Sequence, residues 1–124
     1  MANKVNDLRS ALELLKGIDG QLIETDVEVD PMAELSGVYR HIGAGGTVSR
    51  PTKEGPAMVF NNVKGHPGAR VAIGLLASRR RVGYLLDCDP KRLGFMLNDS
   101  VANPIAPQVI AEGEVAACQE VVYM

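Results

Sequence analysis

The sequence has no tryptophan, and aromatic residues make up only 4% of its 124 positions. Proteins that bind single-stranded nucleic acid usually stack bases on aromatic side chains, so this composition disfavours that class. The net charge of −2 also provides no strong attraction to nucleic acid or to an anionic membrane surface. We therefore expect a mainly aliphatic core in a protein that binds neither nucleic acid nor membranes.

Cysteines and long apolar runs are scarce as well. Cys88 and Cys118 lie too far apart for a C-x-x-C motif, and two cysteines do not make a disulfide framework. The longest apolar run, residues 71–77, is too short to span a membrane. The first ten residues lack the hydrophobic stretch that is typical of a secretion signal. These features predict reduced thiols in a cytoplasmic protein.

Four segments show the apolar spacing of helices. Each follows a residue that favours a helix start, namely Asn6 or Asp7, Asp30-Pro31, Ser78, and Asp89-Pro90. Gly17 is placed to end the first helix. The apolar stripe of the second helix consists of Met32, Leu35, Tyr39 and Ile42, and that of the fourth consists of Leu93, Met96, Leu97 and Val101.

Three other segments read as strands. Residues 21–29 alternate between apolar and polar, which predicts a half-buried strand whose wet face carries Glu24, Asp26 and Glu28. A metal site on these carboxylates is the less favoured interpretation, because no His or Cys accompanies them. Residues 57–60 and 71–75 are continuous apolar runs around a dense turn signal, which suggests two buried strands in a hairpin. The sum is an α+β fold, a small mixed β-sheet covered by about four helices.

The sequence contains almost no recognisable catalytic motif. No G-x-S-x-G elbow and no metal-spaced His/Cys cluster occurs in the sequence. The glycine-rich residues 43–46 follow a helix, whereas a phosphate loop leads from a strand into a helix. His66 lies in a Gly-His-Pro-Gly turn that favours a solvated side chain, and Asn61-Asn62 are expected to satisfy the backbone of the same turn.

The candidate site is the start of the third helix, formed by Ser78, Arg79, Arg80 and Arg81. Three cations in a first helical turn are unfavourable, because the helix N-terminus already carries partial positive charge. Two explanations remain open. The arginines pair with carboxylates of this chain or of an adjoining domain, which we favour, or they hold a phosphate or carboxylate ligand.

Three segments also resemble a known family. Residues 7–15 (DLRSALELL), residues 24–71 and residues 74–83 (GLLASRRRVG) are similar to the N-terminal part of UbiD-type decarboxylases. Within that family the sequence most resembles the large (C) subunit of hydroxyarylic acid decarboxylases, which act on gallate or protocatechuate. The similarity extends through residues 103–107 (NPIAP) and so covers nearly the whole chain.

The resemblance implies a non-oxidative, reversible decarboxylase of aromatic hydroxy acids. Such enzymes use prenylated FMN with Mn²⁺ and K⁺, and a separate flavin prenyltransferase supplies the cofactor. A glutamate–arginine–glutamate set handles proton transfer and substrate orientation. The cofactor lies in a central split-barrel domain, and a C-terminal domain provides much of the contact in a homo-oligomer.

None of the family's flavin, metal or glutamate–arginine–glutamate positions has a counterpart in these residues. We therefore assign no catalytic, cofactor-binding or metal-binding residue. We expect residues 1–106 to form the N-terminal α+β domain, and residues 107–124 to be a linker and first strand that lead into a missing cofactor domain. The chain would be a fragment, inactive alone, that needs the remaining domains or a second chain carrying them. The alternative is a stand-alone module for anion or flavin-phosphate binding, or for oligomerisation through an exposed end strand.

Overall fold

A computed structural model describes residues 5–44, 54–107 and 109–116. In chain order its elements are α1 (Leu8–Lys16), β1 (Leu22–Thr25), α2 (Glu34–Ala44), β2 (Ala57–Phe60), β3 (Val71–Ile73), α3 (Arg79–Leu85) and α4 (Leu93–Ala102). The described part of the chain thus holds four helices and one small sheet, which confirms the predicted α+β class. No helix in these residues is long and apolar enough to cross a lipid bilayer.

The first helix begins and ends where the sequence indicates. The Asp7 carboxylate accepts a hydrogen bond from the Ser10 backbone N–H at 2.7 Å, and the Ser10 hydroxyl accepts one from the Asp7 N–H at 3.1 Å. This reciprocal pair satisfies two of the N–H groups that a helix start leaves free. Gly17 caps the other end, while Ala11 and Leu15 are buried.

The sheet is mixed, with strand order β1-β2-β3. β1 and β2 are parallel, with Leu22 opposite Ala57, and α2 lies in the connection between them. Adjacent parallel strands need such a crossover, because a tight turn can join only antiparallel strands. β2 and β3 are antiparallel, with Val59 opposite Ala72, and this confirms the predicted hairpin.

The central strand β2 is buried on both faces, as its continuous apolar run predicts. On one face, Met58 and Phe60 pack in a cluster with Val29 and Leu35, and α2 covers this cluster with half-buried side chains. On the other face, α1 packs against β1 and borders a groove whose lining includes Val59 and Ala72. The sheet is therefore covered by one helix on each side.

The first strand is shorter than the sequence predicts. It ends at Thr25 rather than Val29, because the Thr25 hydroxyl accepts a hydrogen bond from the Val27 N–H at 3.2 Å and turns the backbone away. The chain rejoins the sheet only at Val29, in an isolated bridge to Val63. The predicted burial of one whole side of residues 21–29 is also wrong, since Ile23 and Val27 are exposed.

The two Asp-Pro motifs stand before helices but do not start them. The Asp30 carboxylate accepts the Met32 N–H at 2.8 Å, and Ala33 has a left-handed φ of 68°, so α2 begins only at Glu34. Met32, predicted on the buried stripe, is 85% exposed. In the same way Asp89 accepts the Lys91 N–H at 2.9 Å, and α4 begins at Leu93.

The apolar stripe predicted for α4 is buried only at its first residue. Leu93 is buried, whereas Leu97 and Val101 are exposed. β3 is also shorter than predicted, since it ends at Ile73 rather than at residue 75. Its three residues are half-buried rather than buried. In the predicted linker, the Glu114 N–H is bonded to the Ala111 carbonyl in a turn. The part of the predicted linker and first strand beyond residue 116 lies outside the described residues.

The chain leaves α2 and returns to β2 through a narrow contact between two glycines. The Gly55 N–H donates to the Gly43 carbonyl at 2.9 Å. A Cβ atom added to Gly55 would lie 2.7 Å from the Gly43 backbone, so only glycine fits there without displacement. The close approach fixes the end of α2 against the start of β2.

Candidate functional site

Ser78 is the N-cap of α3, as predicted. Its backbone is extended, and its hydroxyl accepts a hydrogen bond from the Arg81 N–H at 3.2 Å. The same hydroxyl donates to the carboxylate of Glu54, which precedes β2. A carboxylate beside a helix N-terminus is favourable because it meets the positive end of the helix dipole. Glu54 therefore already places a negative charge where the sequence suggests an anion.

Arg81 is the residue on which this region is built. Its side chain is only 1% exposed, although the sequence gives it the same appearance as its two neighbours. One guanidinium nitrogen donates to the Gly74 carbonyl at 2.6 Å, and the other donates to the Gly55 carbonyl. Burial lowers the pKa of Arg81, while Tyr39 and Glu54 act in the opposite direction. The guanidinium thus links α3, the turn after β3 and the segment before β2.

Arg80 and Arg79 point outward. The Arg80 Nε donates to the Tyr84 hydroxyl at 2.8 Å, and its guanidinium lies 5.7 Å from the centre of the Tyr84 ring. This hydrogen bond, more than any other contact, raises the pKa of Arg80. Arg79 is exposed and has no hydrogen bond or ion pair with another described residue.

The four predicted residues therefore share one location but not one role. Ser78 and Arg81 hold the backbone together, Arg80 is satisfied by its own helix, and Arg79 is free to meet an external group. Sequence reasoning missed Glu54, Gly55 and Gly74, the partners of this arrangement. The only signal in the sequence was the presence of glycine at positions 55 and 74. A glycine in a sequence does not reveal which donor its carbonyl accepts a hydrogen bond from.

A second polar cluster lies where β1 and β2 end. The Asn61 amide donates to Glu24 at 3.0 Å and to Asp26 at 2.8 Å, while its oxygen accepts from Arg70 Nε at 2.7 Å. Arg70 also pairs with Glu24 at 2.8 Å, and Lys16 lies 3.5 Å from the same carboxylate. Carboxylates only accept and guanidinium only donates, so the partners fix the orientation of the amide.

This cluster changes two expectations. Asn61 bonds to side chains of β1 and of the hairpin, not to the backbone of the turn that follows. Glu24 and Asp26 are acidic residues as predicted, but Glu24 is paired with Arg70 and Lys16, and Asp26 accepts a hydrogen bond from Asn61. The Asn61 hydrogen bond is the main cause that lowers the pKa of Glu24. Within the described ranges no group of three His, Cys, Asp or Glu residues could hold a metal ion.

An open groove of about 400 Å³ runs between α1 and the sheet. Its floor is apolar, formed by Leu12, Val59 and Ala72, and Arg9 and Arg70 stand at its rim. The remaining reactive side chains lie apart from it. His41 and His66 are exposed, and Cys88 is a free thiol whose hydrogen goes to the Asp89 carbonyl. His41, His66 and Cys88 therefore form no nucleophile–base pair with one another.

Comparison with known proteins relates this domain to a family of decarboxylases. Residues 14–101 match the family model described as the 3-octaprenyl-4-hydroxybenzoate carboxy-lyase N-terminal domain. The chain is 58% identical over 123 residues to gallate decarboxylase of Lactiplantibacillus plantarum, covering 99% of this chain and 25% of that protein. A 3,4-dihydroxybenzoate decarboxylase sequence of Sedimentibacter hydroxybenzoicus is 74% identical over 27 residues, which are 22% of this chain and 96% of that sequence.

Solved structures agree with this relationship. The apo 3,4-dihydroxybenzoic acid decarboxylase of Enterobacter cloacae matches with a TM-score of 0.78 and 58% identity, over 87% of this chain and 22% of that one. The Klebsiella pneumoniae enzyme matches with a TM-score of 0.76 and 54% identity, over 83% and 21%. The chain thus spans about a quarter of the length of the gallate decarboxylase and about a fifth of the solved decarboxylases.

The family match covers most of the described fold, from α1 into the last turn of α4. The chain therefore belongs to the UbiD family of carboxy-lyases, as their N-terminal domain.

Proposed function

We propose that this chain is the scaffolding domain of a hydroxyarylic acid decarboxylase that acts on gallate or 3,4-dihydroxybenzoate (protocatechuate). The carrying observation is the 58% identity to gallate decarboxylase over a quarter of that protein. The chain contributes a packed α+β unit at the border of the catalytic domain and does not itself catalyse. We propose a cytoplasmic location, which fits the free thiol of Cys88.

The decarboxylase as a whole would use prenylated FMN with Mn²⁺ and K⁺, supplied with cofactor by a flavin prenyltransferase. The described residues do not fit these groups. Glu24 and Asp26 already accept hydrogen bonds from Asn61, and the Arg81 guanidinium already donates hydrogen bonds to two backbone carbonyls. We therefore place the cofactor in the domains that follow, which belong to the same polypeptide or to a second chain, in a homo-oligomeric enzyme.

The division of the chain follows from the same proposal. Residues 1–106 would form the N-terminal domain, and residues 107–124 would lead into the split-barrel domain. Of the candidate residues, Arg79 is the one free to contact a carboxylate of an adjoining domain. Arg80 can join it only by leaving Tyr84, while Ser78 and Arg81 support the helix from inside.

One experiment asks whether the chain alone is inactive. The 124-residue protein is incubated with 3,4-dihydroxybenzoate or gallate, prenylated FMN, Mn²⁺ and K⁺, and released carbon dioxide is measured. We expect no release above the protein-free control. Turnover by this chain would place catalytic residues within it and overturn the scaffolding role.

A chimera tests the parent activity. Residues 1–106 replace the matching segment of the Enterobacter cloacae decarboxylase, and decarboxylation of 3,4-dihydroxybenzoate is compared with that of the unaltered enzyme. Because the two segments are 58% identical, we expect the chimera to keep most of the activity. A folded chimera without activity would contradict the proposal. An Arg79→Ala chimera then shows whether this side chain contributes to the interdomain contact.

A further inference from the structure

The fourth helix carries apolar side chains that its own domain does not cover. Leu93 is buried at its start, and Leu97 and Val101 continue the same line at four-residue spacing. These two side chains are 53% and 82% exposed. The apolar stripe therefore begins in the core of the domain and runs out into solvent.

A second apolar side chain lies on the other side of α4. Phe95 is 76% exposed, and it precedes Leu97 by two positions. At about 100° per residue, the two side chains project in nearly opposite directions. A helix that is apolar around its circumference is typical of one buried on several sides, whereas a surface helix has one apolar stripe. α4 thus has the composition of a buried helix in an exposed position.

The exposed apolar residues are concentrated in this part of the molecule. Among the residues that the structure describes, seven of the thirteen exposed large apolar side chains lie between Phe95 and Val115, and three of these seven are on α4. Scattered exposed apolar residues are normal, but a contiguous set marks an interaction surface. The polar residues of α4 include only one charged side chain, Asp99, so the helix offers little to solvent.

The comparisons indicate what covers this helix. The match to the N-terminal domain family ends at residue 101, in the last turn of α4. The related decarboxylases are about four times as long as this chain, so most of their polypeptide lies beyond this domain. Residues 103–107 follow the end of α4 without regular structure. Because the polypeptide continues directly from α4, the domain that follows is the partner that we infer for this helix.

We propose that α4 is an interdomain helix, enclosed on the Phe95 side and on the Leu97–Val101 side by the domain that follows it in the same decarboxylase polypeptide. This inference rests on the proposed function, because it takes the partner from the length of the related decarboxylases. It adds the surface and the residues through which the scaffold is attached. This attachment is apolar, and it is separate from the polar interdomain contact proposed for Arg79.

Thiol labelling tests the enclosure directly. Val101→Cys and Phe95→Cys are each made in a Cys88→Ser, Cys118→Ser background, in the 124-residue chain and in the chimera with the Enterobacter cloacae decarboxylase. Met32→Cys is the matched control, because Met32 is 85% exposed and lies in the turn before α2, away from α4. We expect Val101→Cys and Phe95→Cys to react with a maleimide at least tenfold more slowly in the chimera, and Met32→Cys to react equally in both proteins.

The outcomes separate this inference from the proposed function. Equal labelling of Val101→Cys in the chain and in an active chimera would overturn the enclosure while leaving the proposed function intact. Slow labelling in a folded but inactive chimera would support the enclosure and contradict the function. Slow labelling in the chain alone would also overturn it. Concentration-dependent protection would then identify a second copy as the cover, and concentration-independent protection would identify the chain's own residues.

A second measurement applies if the chimera does not fold. The cysteine is placed in the Enterobacter cloacae decarboxylase at the position aligned with Val101, and labelling of the native enzyme is compared with that of its isolated N-terminal domain. Tenfold protection in the whole enzyme supports the enclosure. Equal rates would rule it out for this fold.

Discussion

The guanidinium of Arg81 donates to the backbone carbonyl of Gly74 over 2.6 Å, so a buried cation closes the turn that leads into its own helix. A second bond to the Gly55 carbonyl extends this link to the segment before β2. The neighbouring Arg79 has the same chemistry and none of these contacts. The pair allows a direct comparison of a buried and an exposed arginine in one helical turn.

Replacing Arg81 with methionine should destabilise the domain by about 2–4 kcal/mol, because two buried carbonyls lose their donors. Arg79→Met should change the free energy of unfolding by less than about 0.5 kcal/mol. Urea unfolding followed by circular dichroism measures both. Arg81→Lys should recover little, since an ammonium group cannot reproduce the planar two-pronged contact. Equal effects at positions 79 and 81 would contradict the structural role of Arg81.

Gly74→Ala should also destabilise the domain, by about 1–3 kcal/mol. Gly74 has a φ of 79°, and an added Cβ would lie 2.4 Å from the Tyr39 ring. Gly94→Ala is the matched control, because that glycine is inside α4 with no atom within 4 Å of the added Cβ. There the same change should stabilise the helix by about 0.5–1 kcal/mol. Thermal unfolding of the two variants should therefore shift in opposite directions.

The contribution of the Asp7–Ser10 capping pair of α1 to stability can be tested in the same way. Asp7→Ala should cost about 1 kcal/mol of stability, because it removes the acceptor for the Ser10 N–H. Asp19→Ala removes an exposed carboxylate that has no hydrogen bond to another described residue, and it should be nearly neutral. Guanidinium unfolding curves can resolve this difference. If both variants lose the same stability, general charge effects and not the cap would be responsible.

Lowering the pH should decrease the stability of the fold, because it protonates carboxylates that accept hydrogen bonds in the folded state. Hydrogen bonds from Asn61 and from the Met32 N–H lower the pKa values of Glu24 and Asp30 below their ordinary values of 4.5 and 3.8. A lowered carboxyl pKa adds stability above the unfolded-state pKa, and that stability is lost as pH falls through the folded-state pKa. We therefore expect a nearly constant unfolding free energy between pH 7 and about pH 5, and a decline below about pH 4.5.

Glu24→Gln identifies the contribution of one group to that decline. The variant should be less stable than the native chain at pH 7, and the two should converge as the pH falls through the lowered pKa of Glu24. The measurement is a series of urea curves at fixed ionic strength, since screening weakens such exposed pairs. A stability difference that does not vary with pH would show that the charge of Glu24 is irrelevant.

The sequence predicts the local features well. Asp7, Gly17 and Ser78 act as helix caps, and the run at residues 57–60 forms the buried strand, because caps and periodicity depend on near neighbours. The prediction that each Asp-Pro motif starts a helix was wrong, and the reason is also local. The Asp30 carboxylate bonds to a backbone N–H in a turn, and the turn delays α2 to Glu34.

The roles of the arginines could not be predicted from sequence. Arg79, Arg80 and Arg81 are identical residues in one turn, and the choice of which is buried depends on Gly55, which is 26 positions away. The same holds for Asn61, whose partners Glu24 and Asp26 lie on β1 and just after it, more than 30 positions away in sequence. Contacts of this kind depend on the assembled tertiary structure, and composition and spacing carry no trace of them.

The hydrogen bond between Gly55 and Gly43 has a consequence for variation in length. Because Gly43 and Gly55 are hydrogen-bonded to each other, the number of residues between them sets neither the position of α2 nor that of β2. Doubling such a connection adds only about 0.6 kcal/mol of closure entropy. Insertions should therefore be tolerated here, and this junction is a suitable place to graft a peptide tag or a reporter without disturbing the sheet.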